Sequence, residues 1–172
     1  MLFLETTEFI RCVVHIKQAF SIRDSFEIKD SNNQAVWRAQ GKVWSWKRKL
    51  QIQDLDGREV LRIEQKLWSF LPTYSIYLGD ERVAEVKKKM TFLKSRYEII
   101  PSDWTIQGDF WGFNFDVCDG RNPIAHVKKT VFSWTDHYEI DVVDDQYALI
   151  SCAFVIVIDA IAADTAAAAS SS

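Results

Sequence analysis

Tyr147-Ala-Leu-Ile-Ser-Cys-Ala-Phe-Val-Ile-Val-Ile-Asp-Ala-Ile161 decides how the rest of the chain is read. The run is apolar on every side, so a helix built from it has no face to turn to water. Such a rod needs a bilayer or a sheath of protein around it. From Ala148 to Ala163 it would span about 24 Å at about 1.5 Å per residue, short of a hydrocarbon core of about 30 Å. It also carries Asp159 and lacks a basic flank, and both features count against a membrane anchor. The expected setting is a core helix sheathed by the preceding chain, with no transmembrane segment.

Upstream, one signature recurs: an aromatic residue or Leu, a polar residue, then Ile or Val. It occurs at Phe26-Glu-Ile28, Leu50-Gln-Ile52, Tyr74-Ser-Ile76, Tyr97-Glu-Ile99, Phe115-Asp-Val117 and Tyr138-Glu-Ile140, with starts 24, 24, 23, 18 and 23 residues apart. A second alternating segment precedes each one, from Val14-His-Ile16 to Ala125-His-Val127. In–out–in alternation marks strands with one buried face. Asp-, Asn- and Gly-rich turns follow each signature, among them Asp30-Ser-Asn-Asn33, Asp54-Leu-Asp-Gly57 and Asp119-Gly120. These residues tolerate the positive φ that hairpin turns require. Aromatic loops such as Trp44-Ser-Trp46, Trp68-Ser-Phe70 and Trp111-Gly-Phe113 make the other connections.

Six units of two strands predict twelve. A solenoid of this period would need no plug, whereas a twelve-stranded ring has an interior that side chains alone do not fill and room for one helix. The expected fold is mainly β: a closed antiparallel twelve-stranded barrel around a central hydrophobic C-terminal α-helix. One domain is expected over residues 1–163, with 164–172 as a low-complexity tail. At 172 residues the length suits a single domain.

Composition narrows function more than it names it. The net charge is −3, so any polyanion site must come from local segregation of charge. Cys12, Cys118 and Cys152 lack metal or disulfide spacing and read as reduced thiols of a cytoplasmic or membrane-peripheral protein. No cofactor or metal is expected, because Gly-rich phosphate loops, zinc spacings and EF-hand loops are missing from the sequence. Asp54-Leu-Asp-Gly57 reads as a hairpin turn rather than a calcium loop. His15 and His126 fall in outward slots, and His137 adjoins Asp136 without a nucleophile beside it. No catalytic residue is assigned, and the chain is not expected to be an enzyme.

The stretches Ile63-Glu-Gln-Lys-Leu-Trp-Ser-Phe-Leu-Pro-Thr-Tyr-Ser-Ile76, Val127-Lys-Lys-Thr-Val-Phe-Ser-Trp134 and the terminal Ile156-Val-Ile-Asp-Ala-Ile161 resemble the LURP-one-related family. The resemblance covers roughly Ile16 to Ile161, and it includes the bacterial YxjI-like branch within the Tubby C-terminal-like superfamily, to which phospholipid scramblases also belong. It implies the same filled barrel. It further implies a binding rather than catalytic role, since Tubby-like members bind phosphoinositides through basic residues. The proline-rich and calcium-binding features of scramblases are missing, which argues against lipid scrambling.

In-order pairing would gather the acidic turns, Asp30, Asp54, Asp56, Asp80, Glu81, Asp103, Asp119, Asp144 and Asp145, at one end. The aromatic-loop end would collect the lysines, including Lys66, Lys128 and Lys129. Within it, Lys47, Arg48, Lys49, Lys87, Lys88, Lys89, Lys94 and Arg96 form the candidate site for an anionic headgroup. Two readings of these lysines stand open. They could meet an anionic phospholipid or phosphoinositide, with about 1 kcal/mol per cation near a charged leaflet, or they could be solvated strand ends on a protein-interaction or regulatory scaffold. The aromatics are expected to cap the barrel core. Asp159 is expected near the basic mouth, as a salt-bridged carboxylate pinning the helix end. Nucleic acid is disfavoured by the lack of base-reading motifs, and the helix argues against an apolar-ligand cavity.

Overall fold

A computed structural model describes residues 10–17, 25–42, 49–89, 96–100, 103–109, 114–132 and 135–170. The chain is mainly β with one C-terminal helix. Twelve strands run in order: β1 (Ile10–Lys17), β2 (Ser25–Asp30), β3 (Ala35–Lys42), β4 (Lys49–Gln53), β5 (Glu59–Gln65), β6 (Thr73–Leu78), β7 (Glu81–Lys89), β8 (Arg96–Ile100), β9 (Trp104–Asp109), β10 (Asn114–Asp119), β11 (Asn122–Phe132) and β12 (Thr135–Val142). A single 3-10 turn, Asp145–Tyr147, leads into α1 (Ala148–Ser170).

Every strand pairs antiparallel with its neighbour in sequence, and β1 also pairs with β12, so the order returns on itself as a closed barrel. The joints are unequal. The β1–β12 ladder runs from Ile10↔Val142 to Lys17↔Thr135, whereas among the described residues β8 and β9 meet at one registered pair, Glu98↔Thr105. That narrow join is the seam of the ring.

The alternating signature faces inward as its period requires. Leu50, Ile52, Tyr74, Ile76, Phe115, Val117, Tyr138 and Ile140 are all buried. Inward residues continue across the ladders, as in Leu50↔Ile63↔Ile76↔Ala84. In four hairpins the register shifts just after the signature: at Ile28/Lys29, Ile52/Gln53, Ile76/Tyr77 and Val117/Cys118. Bulges bend and twist a strand, so their repetition at one end curves the sheet there.

The turns have a shared construction. Asp30 accepts from the backbone N–H of Asn32 and Gln34 at 2.9 Å, with Asn33 at φ 62°. Asp54 accepts from the Arg58 N–H at 2.8 Å, with Gly57 at φ 83°. In each turn a carboxylate takes up an orphan donor, and the second residue before the return strand adopts the left-handed backbone.

Inside, α1 touches β11, β12 and β1 on one side and β5 and β7 on the other. Residues 151–158 are buried without interruption. Asp145–Ala162 is long and apolar enough to cross a membrane, yet the strands occupy the place lipid would take. Cys118 and Cys152 are buried free thiols; burial, with Asp116 adding to it, pushes the Cys118 thiol above its ordinary range.

One expectation is corrected here. The helix does not stop at 163 but continues through Ser170, into the stretch read as tail. Alanine has the highest helix propensity, and extending an existing helix needs no new nucleus.

Candidate anion-binding surface

The β2–β3, β4–β5, β6–β7, β8–β9 and β10–β11 connections and the entry to α1 lie at one end of the barrel, and the remaining connections lie at the other. Asp30, Asp54, Asp80, Asp103, Asp119 and Asp144 thus share the first end. Arginines mingle with them: Arg58 bridges Asp56 at 3.0 Å and Asp54 at 3.6 Å, and Arg121 follows Asp119-Gly120. Asp144 caps the 3-10 turn by accepting from the Gln146 N–H at 2.9 Å, a placement favoured for a carboxylate at a helical start.

The candidate cations whose side chains are described, Lys49, Lys87 and Lys88, take three different partners. Lys47, Arg48 and Lys94 lie outside the described residues. Lys49, on β4, pairs with Glu64 at 3.2 Å, and Glu64 also takes Arg62 at 3.0 Å. Lys89 and Arg96 stand directly across the β7–β8 ladder. Lys88 continues the inward row of Ala84 and Val86, and its ammonium donates to the Thr165 hydroxyl of α1 at 2.9 Å. That contact ties the barrel wall to the emerging end of the helix.

The convergence the sequence did not announce centres on Glu85. On the outer face of β7, its carboxylate meets Lys87 at 3.0 Å, Arg82 at 3.0 Å and Lys66. Its side chain is 5% exposed beneath them. Burial pushes the Glu85 carboxyl up, but the ammoniums of Lys66 and Lys87 outweigh that and hold it below its ordinary value. Three cations thus converge on one carboxylate, and Glu98 of β8 stands directly across the ladder from Lys87. Glu85 and Lys87 share a face by two-residue spacing. Lys66 arrives only because β5, β6 and β7 are neighbours, which the chain order implies but alternation does not.

Beside this cluster stands the connection between β5 and β6. Its base is hydrogen-bonded: Lys66 N–H to Thr73 O at 2.9 Å, the Ser69 and Thr73 hydroxyls at 2.8 Å, and Lys88 N–H to Pro72 O at 3.4 Å. Its tip projects outward. Trp68 is 98% exposed, Phe70 fully so and Leu67 43%. The expectation that the aromatic loops cap the core is overturned for Trp68 and Phe70, because the base bonds hold their loop off the barrel mouth. Trp44, Trp46, Trp111 and Trp134 lie outside the described residues. Aromatic packing over the helix occurs at the opposite end, where Trp104 meets Tyr147 and Phe154 edge-on at centroid distances of 6.0 and 5.7 Å.

Asp159 lies partly buried and accepts from the Tyr138 hydroxyl of β12, while the Lys129 ammonium sits 5.3 Å over the Tyr138 ring. The phenol is one partner of the carboxylate expected to pin the helix end. His126 Nδ1 stands 2.7 Å from Asp116 Oδ1 on the exposed outer wall. Among the described residues no group of three or more His, Cys, Asp or Glu could hold a metal ion.

Comparison with known proteins gives three findings. A family model described as LURP-one-related matches residues 13–159. The uncharacterized protein YxjI of Bacillus subtilis is 37% identical over 143 residues, covering 83% of this chain and 88% of that protein. An X-ray structure of a protein from Arabidopsis thaliana superimposes with a TM-score of 0.59 at 16% identity, covering 88% of this chain and 91% of the other. At that identity the last likeness speaks for the fold.

Proposed function

The chain belongs to the LURP-one-related family, and from that premise we propose that it is a non-enzymatic binding module recognising anionic phospholipid or phosphoinositide headgroups. The observation that carries the reading is the convergence of three cations, Lys66, Arg82 and Lys87, on the single carboxylate of Glu85. A carboxylate that already holds the ammoniums in place limits the ordering cost when a phosphate approaches. Each Lys or Arg near an anionic leaflet contributes about 1 kcal/mol, screened by salt.

Flotation with phosphatidylserine- or phosphoinositide-containing vesicles, against neutral phosphatidylcholine, tests the reading. Binding is expected to anionic vesicles only, weakening with salt. Lys66→Gln with Lys87→Gln should reduce it, read well below a melting temperature that itself falls because the buried Glu85 loses two of its three cations. Glutamate at 87 would be less informative, because it would face Glu85. Equal binding to both vesicle types, or to neither, would refute headgroup recognition.

A second reading, a protein-interaction or regulatory scaffold, draws on the exposure of Trp68 and Phe70. Aromatic side chains are enriched at protein contacts. It takes over where vesicles fail to bind.

A further inference from the structure

We infer that the loop tip Leu67-Trp68-Ser69-Phe70 is an interfacial anchor that enters the boundary between headgroups and acyl chains of an anionic bilayer. The inference rests on the headgroup reading above and gives it a depth and an orientation. Soluble proteins seldom leave two aromatic rings and a leucine exposed within four residues without a partner for them. Here Trp68 and Phe70 have almost their whole surface in solvent, while the loop base is fixed by Lys66 N–H to Thr73 O and by Ser69 to Thr73. A tip held out from a rigid base loses little freedom on burial.

The charge beside the tip selects the occupant. Lys66 begins the loop, and it converges with Lys87 and Arg82 on Glu85. An apolar tip next to clustered cations matches an anionic leaflet, whose phosphates meet the cations while the acyl boundary takes the rings. Trp in particular favours that interface. A convex finger also suits a fluid medium, which closes around it without a preformed pocket. The barrel would then stand with its β5–β7 wall toward the membrane.

The test uses the full chain. Trp68→Ser with Phe70→Ser changes only exposed side chains, so the melting temperature should hold within a few degrees. Leu67→Cys in a Cys12→Ser background, labelled with an environment-sensitive nitrobenzoxadiazole probe, reports polarity at the tip and leaves the Ser69–Thr73 bond in place; Cys118 and Cys152 are buried. On phosphatidylserine vesicles the wild type should bind, the double variant should bind at least about tenfold more weakly with its salt dependence kept, and the probe should shift to the blue. Equal binding by wild type and double variant with no probe shift would overturn the anchor and leave headgroup recognition standing. Binding of neutral and anionic vesicles alike, lost in the double variant, would keep the anchor and sink headgroup recognition. No binding to any vesicle overturns the anchor. A wild-type dimer that the double variant makes monomeric, without vesicle binding, would assign the tip to a second copy of the chain.

Discussion

The hydroxyl of Tyr138, on the strand that pairs with β1, donates to the carboxylate of Asp159 on the helix, 21 residues later. The bond locks the central rod to its sheath at a fixed height and rotation. Burial favours neither partner alone, since an unpaired polar group inside costs free energy that a paired one does not. Tyr138→Phe should therefore destabilise by about 1–3 kcal/mol in urea unfolding. In a double-mutant cycle with Asp159→Asn, the two changes should be non-additive. Additive effects would mean that the pair does not act as a lock.

The sheathed part of the helix should respond to truncation as a protein core does. Ile156 is fully buried, and Ile156→Ala should cost about 2–5 kcal/mol. Leu55, at 57% exposure in the β4–β5 turn, gives the contrast: Leu55→Ala should stay within about 0.5 kcal/mol. Equal effects at the two positions would contradict a helix enclosed by strands.

Gly108 has a sharper constraint than any turn glycine. At φ +130°, a Cβ there would meet Asn114 O at 2.7 Å and Phe115 Cα at 2.8 Å, across the β9–β10 ladder. Gly108→Ala has to move backbone as well as adopt a disfavoured conformation. Gly57, at φ +83° with open space around it, adds only the conformational term, about 1–2 kcal/mol. Thermal melts should rank Gly108→Ala below Gly57→Ala.

Glu85 predicts a pH dependence. Its folded value lies below the ordinary 4.5, because Lys66 and Lys87 overcome the effect of burial. A depressed carboxylate contributes stability that is fully present above the unfolded value and is lost as pH falls through the folded one. Urea midpoints of the wild type should therefore decline below pH 4.5 more steeply than those of Glu85→Gln. At pH 7 the Gln variant should be the less stable protein, since three cations then face one another without their carboxylate.

Lys88 and Thr165 hold the helix where it leaves the barrel, and the Thr165 hydroxyl also donates to Ile161 O at 2.8 Å. Lys88→Ala should raise hydrogen exchange over residues 162–170 and leave 151–158 protected. Opening of terminal turns is a local event, well below the free energy of global unfolding. Uniform deprotection of the helix would show instead that Lys88 supports the whole barrel.

Much of this architecture was legible because two of its signals are local. Alternation places Tyr74, Ile76, Phe115 and Val117 inward whatever the strand neighbours are, and Asp- and Gly-rich turns mark where strands reverse. The aromatic loops were misread for an equally physical reason. Trp68 and Phe70 are the residue types that plug a barrel, and only the hydrogen bonds at Lys66, Ser69 and Thr73 direct them outward. The tail was set aside on low complexity, although its alanines extend a helix already formed.

Taken alone, the sequence determined the strand count, the inward face of strands such as β4, β6, β10 and β12 and the need to enclose the terminal rod, because periodicity and all-round apolarity constrain a chain through contacts between near neighbours. Tertiary structure decided which charges meet. Lys66, Arg82, Glu85 and Lys87 come together across β5, β6 and β7, and Tyr138 finds Asp159, only once the ladders set register and the helix takes its depth. Alternation gives the side of the sheet a residue faces, but not the residue beside it on the next strand.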